Sequence, residues 1–115
     1  MSRRDRRRRA VHFIIKSRTV RKTFFPAKLF GEPAWDLLLT LYATALDEGA
    51  ITAAQLCEAS GAGLLTVGRW IEVLEGEGLV IRNKVRTVGM DSFTLSEKGW
   101  FAMDSYFENM SSGMI

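Results

Sequence analysis

Six arginines, Arg3, Arg4 and Arg6 to Arg9, stand within seven positions near the start of the chain. A guanidinium stays charged at any physiological pH and presents a planar fork of donors. At this density such groups attract phosphate backbones, anionic lipid headgroups or an acidic protein face. The competing reading is a frayed, solvated terminus whose charge aids solubility. A sparser set of cations, Arg69, Arg82, Lys84 and Arg86, lies in the second half of the chain. Nucleophilic and metal chemistry find little footing. The one histidine, His12, sits in the arginine-rich stretch with no acid or cysteine ligand near it. A Ser-His-acid or Cys-His arrangement is therefore unsupported, and an enzyme is not expected. The one cysteine, Cys57, has no partner for a disulfide or a zinc cluster, so it reads as a buried thiol rather than a redox sensor. Gly61-Ala-Gly63 lacks the Lys-Ser or Lys-Thr continuation of a phosphate-cradling loop and reads as a turn. No metal and no cofactor is expected.

The elements that must carry these cations belong to one domain, since 115 residues are too few for two ordinary ones. A hydrophobic share of 47% with 25% charged residues is ordinary globular composition, which excludes a wholly disordered chain. No apolar run approaches the ~18 residues of a membrane span, and nothing in the first residues reads as an export signal. A reducing cytoplasm is the expected setting. The net charge of +3 hides a strong division. Residues 1–28 hold eight Arg and three Lys against one Asp, a charge of +10. Residues 29–115 hold five Lys or Arg against twelve Asp or Glu, a charge of −7. The chain is a basic arm on an acidic body.

Periodicity predicts the order of elements. Val11, Ile14 and Ile15 recur at helical spacing, giving a helix over about 6–22 within a basic arm of residues 1–28. Pro33 suits the first turn of a helix over 34–47, in which Trp35, Leu38, Leu39, Tyr42, Ala45 and Leu46 follow the i, i+3, i+4, i+7 rule. Gly49 is the expected left-handed residue closing it. Thr52-Ala-Ala-Gln55 has the pattern of a capping box and opens a short helix to about Ala59. Ser60 to Gly63 form a turn, and Val67, Ile71 and Leu74 mark a helix over 65–77. Leu79 to Ile81 and Ser92 to Leu95 read as two strands of a hairpin with a long tip. Ser96 caps a final helix from Glu97 to about Asn109, leaving 111–115 as a frayed tail.

A helix, a short helix, a tight turn, a third helix and a two-stranded hairpin is the order of a winged helix-turn-helix, in which the third helix can enter a DNA major groove. The expected fold class is therefore mainly α with a small β-wing, over residues 29–110. The segments LFGEPAWDLLLTLYATA, ITAAQLCEASGAGLLTVGRWIEVLEGEGLV and FTLSEKG resemble the core of the multiple-antibiotic-resistance regulator (MarR) type of transcription factor. The resemblance covers about residues 29–108. Its most telling pieces are Thr66-Val-Gly-Arg69, similar to the family's Thr-Val-Thr-Arg, then Leu74 to Val80 entering the wing and Leu95-Ser-Glu-Lys-Gly99 leaving it. It implies a homodimer, helped by the terminal helices, that sets two recognition helices on double-stranded DNA and regulates transcription. It also permits a small-molecule effector. The family's Asp-x-Arg motif near the wing tip is missing, Thr87-Val-Gly-Met-Asp91 standing in its place, and Arg82, Lys84 and Arg86 are the expected substitutes.

The residues expected on DNA are thus Leu65, Thr66, Gly68 and Arg69 of the recognition helix, Arg82, Lys84 and Arg86 of the wing, and the early arginines on the flanking backbone. Leu65, Gly68, Arg69 and Glu72 share the face opposite Val67, Ile71 and Leu74. Arg69 can read guanine or grip phosphate; its bland alternative is an i, i+3 pair with Glu72. Thr66 bonds a phosphate or merely caps the helix. Glu72, Glu75 and Glu77 are expected to point away from DNA or to weaken binding. Trp35, Trp70, Trp100, Phe101 and Phe107 read as core packing in preference to a ligand cavity. Two rival functions remain at this stage: a winged-helix module that binds a protein partner, and an arginine-rich RNA binder.

Overall fold

The computed structural model describes residues 2–29, 31, 33–87 and 89–112. The chain begins with α1, Arg3–Phe24, whose first turn is capped by Ser2: the Asp5 N–H donates to Ser2 Oγ at 3.1 Å. The basic segment is therefore helical from its third residue, which corrects the expected start near residue 6. The side chains of Arg6, Arg7 and Arg8 lie outside what is described. A 3-10 turn, Ala27–Leu29, leads to α2, Ala34–Leu46, with Pro33 at its N-cap. The left-handed residue after α2 is Glu48, at φ 55°, and not Gly49. The Gly49 N–H instead donates back to Thr44 O at 3.0 Å.

The strand β1, Ile51–Thr52, runs directly into α3, Ala53–Ser60. The capping box forms as the sequence predicts: the Gln55 N–H donates to Thr52 Oγ1 and the Thr52 N–H to Gln55 Oε1, at 3.3 and 2.9 Å. Gly61 ends α3 at φ 74°, a backbone angle that glycine adopts without steric cost, and after a short turn α4 runs over Leu64–Gly76. The wing is β2, Val80–Asn83, and β3, Ser92–Leu95, paired antiparallel from Val80 opposite Leu95 to Asn83 opposite Ser92. The first wing strand starts one residue later and ends two later than expected: the Leu79 N–H is tied back to the Leu74 carbonyl of α4 at 3.0 Å, and the pairing with β3 continues to Asn83 opposite Ser92. The hairpin is also the larger part of a three-stranded sheet, order β1-β3-β2, with Ile51 opposite Phe93. Helix α5, Glu97–Ser112, is capped by Ser96, whose Oγ accepts from the Gly99 N–H at 3.0 Å. It runs past the expected end at Asn109, and residues 113–115 of the expected tail lie outside the described residues.

One core unites these pieces. Leu37, Leu38 and Leu41 of α2, Leu56 of α3, Val67, Ile71 and Leu74 of α4, Phe93 of β3 and Met103 of α5 are all buried. Fully burying each such side chain is worth about 1.5–3 kcal/mol. Gly99 shows how tightly α5 is seated on the wing, since a Cβ there would fall 2.1 Å from the Leu79 carbonyl oxygen. The aromatic residues pack largely on one another. Trp35 meets Phe25 and Tyr106 edge-on, Tyr42 stacks on Phe107 with centroids 5.1 Å apart, and Trp70 lies half-buried against the core. Phe101 is the exception, 70% exposed on α5, and Trp100 is only partly covered. Among the described residues no helix is long and apolar enough to cross a membrane.

Candidate nucleic-acid interface

Helices α3 and α4, joined by the turn at Gly61, form the helix-turn-helix, and α4 divides cleanly into two faces. Val67, Ile71 and Leu74 enter the core. On the other side Leu64, Leu65, Thr66 and Arg69 are exposed, and Leu64, Leu65, Gly68, Arg69 and Glu72 border one shallow depression. The first backbone hydrogen bond of α4 runs from the Val67 N–H to Gly63 O at 2.9 Å. The N–H groups of Leu64, Leu65 and Thr66 precede it, in the first turn, where helical geometry gives them no partner and the helix dipole favours an anion. Gly63 is the N-cap and supplies no side-chain cap, so Thr66 does not serve in that role.

Arg69 forms no ion pair among the described residues, and the alternative of a pair with Glu72 is not realised. The three glutamates separate. Glu77 is paired with Lys28 and has its carbonyl bonded by Lys98 Nζ at 2.8 Å; Glu75 is paired with Arg82. Glu72 is exposed and borders the same depression as Arg69. The Lys28 ammonium, hydrogen-bonded to Glu77, holds that carboxyl below the ordinary carboxylate value.

The wing cations also divide. Arg82 is turned inward: Nη2 lies 3.1 Å from Glu75 Oε1 on α4 and Nη1 3.5 Å from Asp91 Oδ2 at the base of β3. Its guanidinium carbon stands 4.9 Å from the centre of the Phe93 ring. The hydrogen bond that Arg82 donates to Glu75 raises the pKa of a group already fully charged. Arg82 is therefore a tie between the wing and α4, already paired with two carboxylates. Sequence spacing gave no sign of this, because the partners lie seven and nine residues away on other elements. Asp91 also accepts the Val85 N–H at 3.0 Å, fixing the hairpin's path. Lys84 and Arg86 remain exposed and without ion pairs among the described residues.

On α1, Arg3, Arg4, Arg9 and His12 are exposed. Cys57 is a half-buried free thiol packed against the core. Among the described residues no cluster of three or more His, Cys, Asp or Glu side chains can hold a metal.

No sequence-family profile matches the chain, and no curated protein matches it. Solved structures do. A MarR family protein from Bacillus stearothermophilus superposes with a TM-score of 0.67 at 21% identity, over 94% of this chain and 70% of that one. MepR of S. aureus, in a complex with DNA, gives 0.69 at 18% identity, over 93% and 82%. NadR, in complex with 4-hydroxyphenylacetate, gives 0.65 at 15% identity, over 90% and 68%. These likenesses span nearly the whole of this chain, including both helices of the helix-turn-helix and the wing, so the fold is the winged helix-turn-helix of MarR-type transcriptional regulators.

Proposed function

We propose that this chain is a DNA-binding transcriptional regulator that acts as a homodimer, with α4 in the major groove of double-stranded DNA. Lys84 and Arg86 of the wing and the arginines of α1 lie on the flanking backbone or minor groove in this reading. The observation that carries it is the outward face of α4. A helix anchored by one buried stripe presents Leu65, Thr66, Arg69 and the half-buried Gly68 on its outer face, with open first-turn amides and a guanidinium that forms no ion pair among the described residues, as suits a major-groove reader. MepR, a structure of similar fold, has been captured on DNA, which supports the same use of the scaffold here. NadR was solved with an aromatic acid bound, which supports a small-molecule effector, although Trp35, Tyr42, Tyr106 and Phe107 here pack on one another.

The dimer reading rests on α1 and α5, the two helices flanking the helix-turn-helix. They leave Val11, Ile14 and Phe101 exposed, apolar surface that a second copy would cover. Sedimentation of the full chain should show a dimer; a stable monomer favours a protein-interaction module over a dimeric regulator. The direct test of function is selection from a random pool of duplex DNA, followed by sequencing. An enriched inverted repeat, with half-sites about one helical turn apart, is the expected result. Retention of all sequences equally, or preference for RNA, would contradict the proposal.

A further inference from the structure

Position 68 is an unexpected place for glycine. It lies inside α4, where glycine is the least favourable residue after proline, and nothing among the described residues requires it. A Cβ at Gly68 would meet no atom within 4 Å, and its φ is not positive. At Gly99, by contrast, a Cβ would strike the Leu79 carbonyl. Gly76, at the end of α4, is equally open; Gly68 differs in lying in mid-helix beside the exposed Leu65 and Arg69, where the missing side chain would let a partner's surface come closer to the backbone. Around it Leu64 and Leu65 are 64% and 87% exposed, and with Arg69 and Glu72 they border the shallow depression. A leucine so exposed gains nothing from the fold, and it has no donor or acceptor to offer a partner.

We infer that Gly68 is the point of closest approach between α4 and the base pairs, that Leu65 packs on a thymine methyl group, and that Arg69 reads a guanine about two base pairs away. This rests on the proposal that α4 enters the major groove. There the C5-methyl of thymine is the apolar group that can reward a leucine, and guanine O6 with N7 matches the guanidinium fork. Leu65 and Arg69 stand one turn apart on the same face, about 6 Å along the helix axis. Two base-pair steps of about 3.4 Å span a similar length when the helix lies along the groove. The open amides of Leu64 to Thr66 meet a phosphate at the same end and hold Leu65 against the base edge. An apolar protein partner would suit the leucines but would leave the Arg69 charge and these amides unsatisfied.

The test uses the full chain and the duplex enriched from the random pool. Each thymine of a half-site is replaced in turn by deoxyuridine, which removes only the methyl group. At one position the replacement should weaken wild-type binding about fourfold, the worth of one buried methyl, and leave Leu65→Ala unchanged. Gly68→Ala should raise the melting temperature yet weaken binding at least tenfold, opposite signs that a purely structural role does not produce. Should every deoxyuridine duplex bind the wild type as tightly as its parent, the thymine contact is wrong while sequence-specific binding stands. Should Gly68→Ala bind as well as wild type, the close approach is wrong. Failure to bind any duplex overturns the proposed function and this inference with it.

Discussion

Arg82 touches two carboxylates and an aromatic ring, and its contacts join α4, β2 and the foot of β3. Partly exposed ion pairs contribute about 0.2–1 kcal/mol each and a cation–π contact about 0.5–1 kcal/mol. Arg82→Ala should therefore lower stability by about 1–2 kcal/mol in denaturant titrations. The salt dependence of DNA binding should keep its slope in this variant, because a guanidinium already neutralised by carboxylates displaces no counterion. A slope shallower by about 0.9 would instead place Arg82 on a phosphate. The double variant Glu75→Gln, Asp91→Gln gives a sharper sign test. Simple charge repulsion expects tighter binding once two negative groups are gone, whereas a tie that sets the wing against α4 expects weaker binding. Glu77 offers a pH test. Its lowered folded pKa means that the unfolded chain takes up the proton first as pH falls. The contribution of its pairing with Lys28 is thus fully present above the ordinary carboxylate value of 4.5 and is lost as pH drops through the lowered folded value. Thermal melts between about pH 3 and 6 should fall more steeply for wild type than for Glu77→Gln; equal steepness would contradict the assignment.

At the scale of elements, what could be read from the sequence was what is local. The capping box at Thr52 and Gln55, the stripe of Val67, Ile71 and Leu74, and the Ser96 cap each need only residues three or four apart, and each forms as expected. Most of what escaped depends on distant partners. The two residues of β1 are too short to show alternation and exist as a strand only because β3 pairs with them. Leu79 reads as strand by composition, but its N–H turns back to the Leu74 carbonyl at the end of α4. The outward face of α4 was legible from helical spacing, whereas the inward turn of Arg82 was not, since acids on two other elements decide it. Phe101 follows the same logic: its spacing suits a core helix, yet it is left in solvent because the side of α5 that packs carries Ala102, Met103, Tyr106 and Met110.

For the molecule as a whole, the proposed function makes the division of charge decide how DNA would be held. The −7 of residues 29–115 repels phosphates, so attraction must come from α1, with Lys84 and Arg86 assisting. As α1 is a helix from Arg3, the arginines stand on a rod of about 33 Å instead of a loose tail, at a rise of about 1.5 Å per residue. Neutralising about six phosphates corresponds to a log–log salt slope of roughly −5. Deleting residues 1–9 should flatten that slope and weaken binding to all duplexes alike; an unchanged slope would remove α1 from the mechanism. In the proposed function this arm would supply grip and α4 choice. Amide chemical shifts, followed while the enriched duplex is titrated into the full chain, test that assignment most directly. The account predicts that the largest changes fall on Leu65, Thr66, Gly68 and Arg69, with smaller ones at Lys84 and Arg86. Shifts confined to α1, with residues 64–69 unmoved, would contradict it.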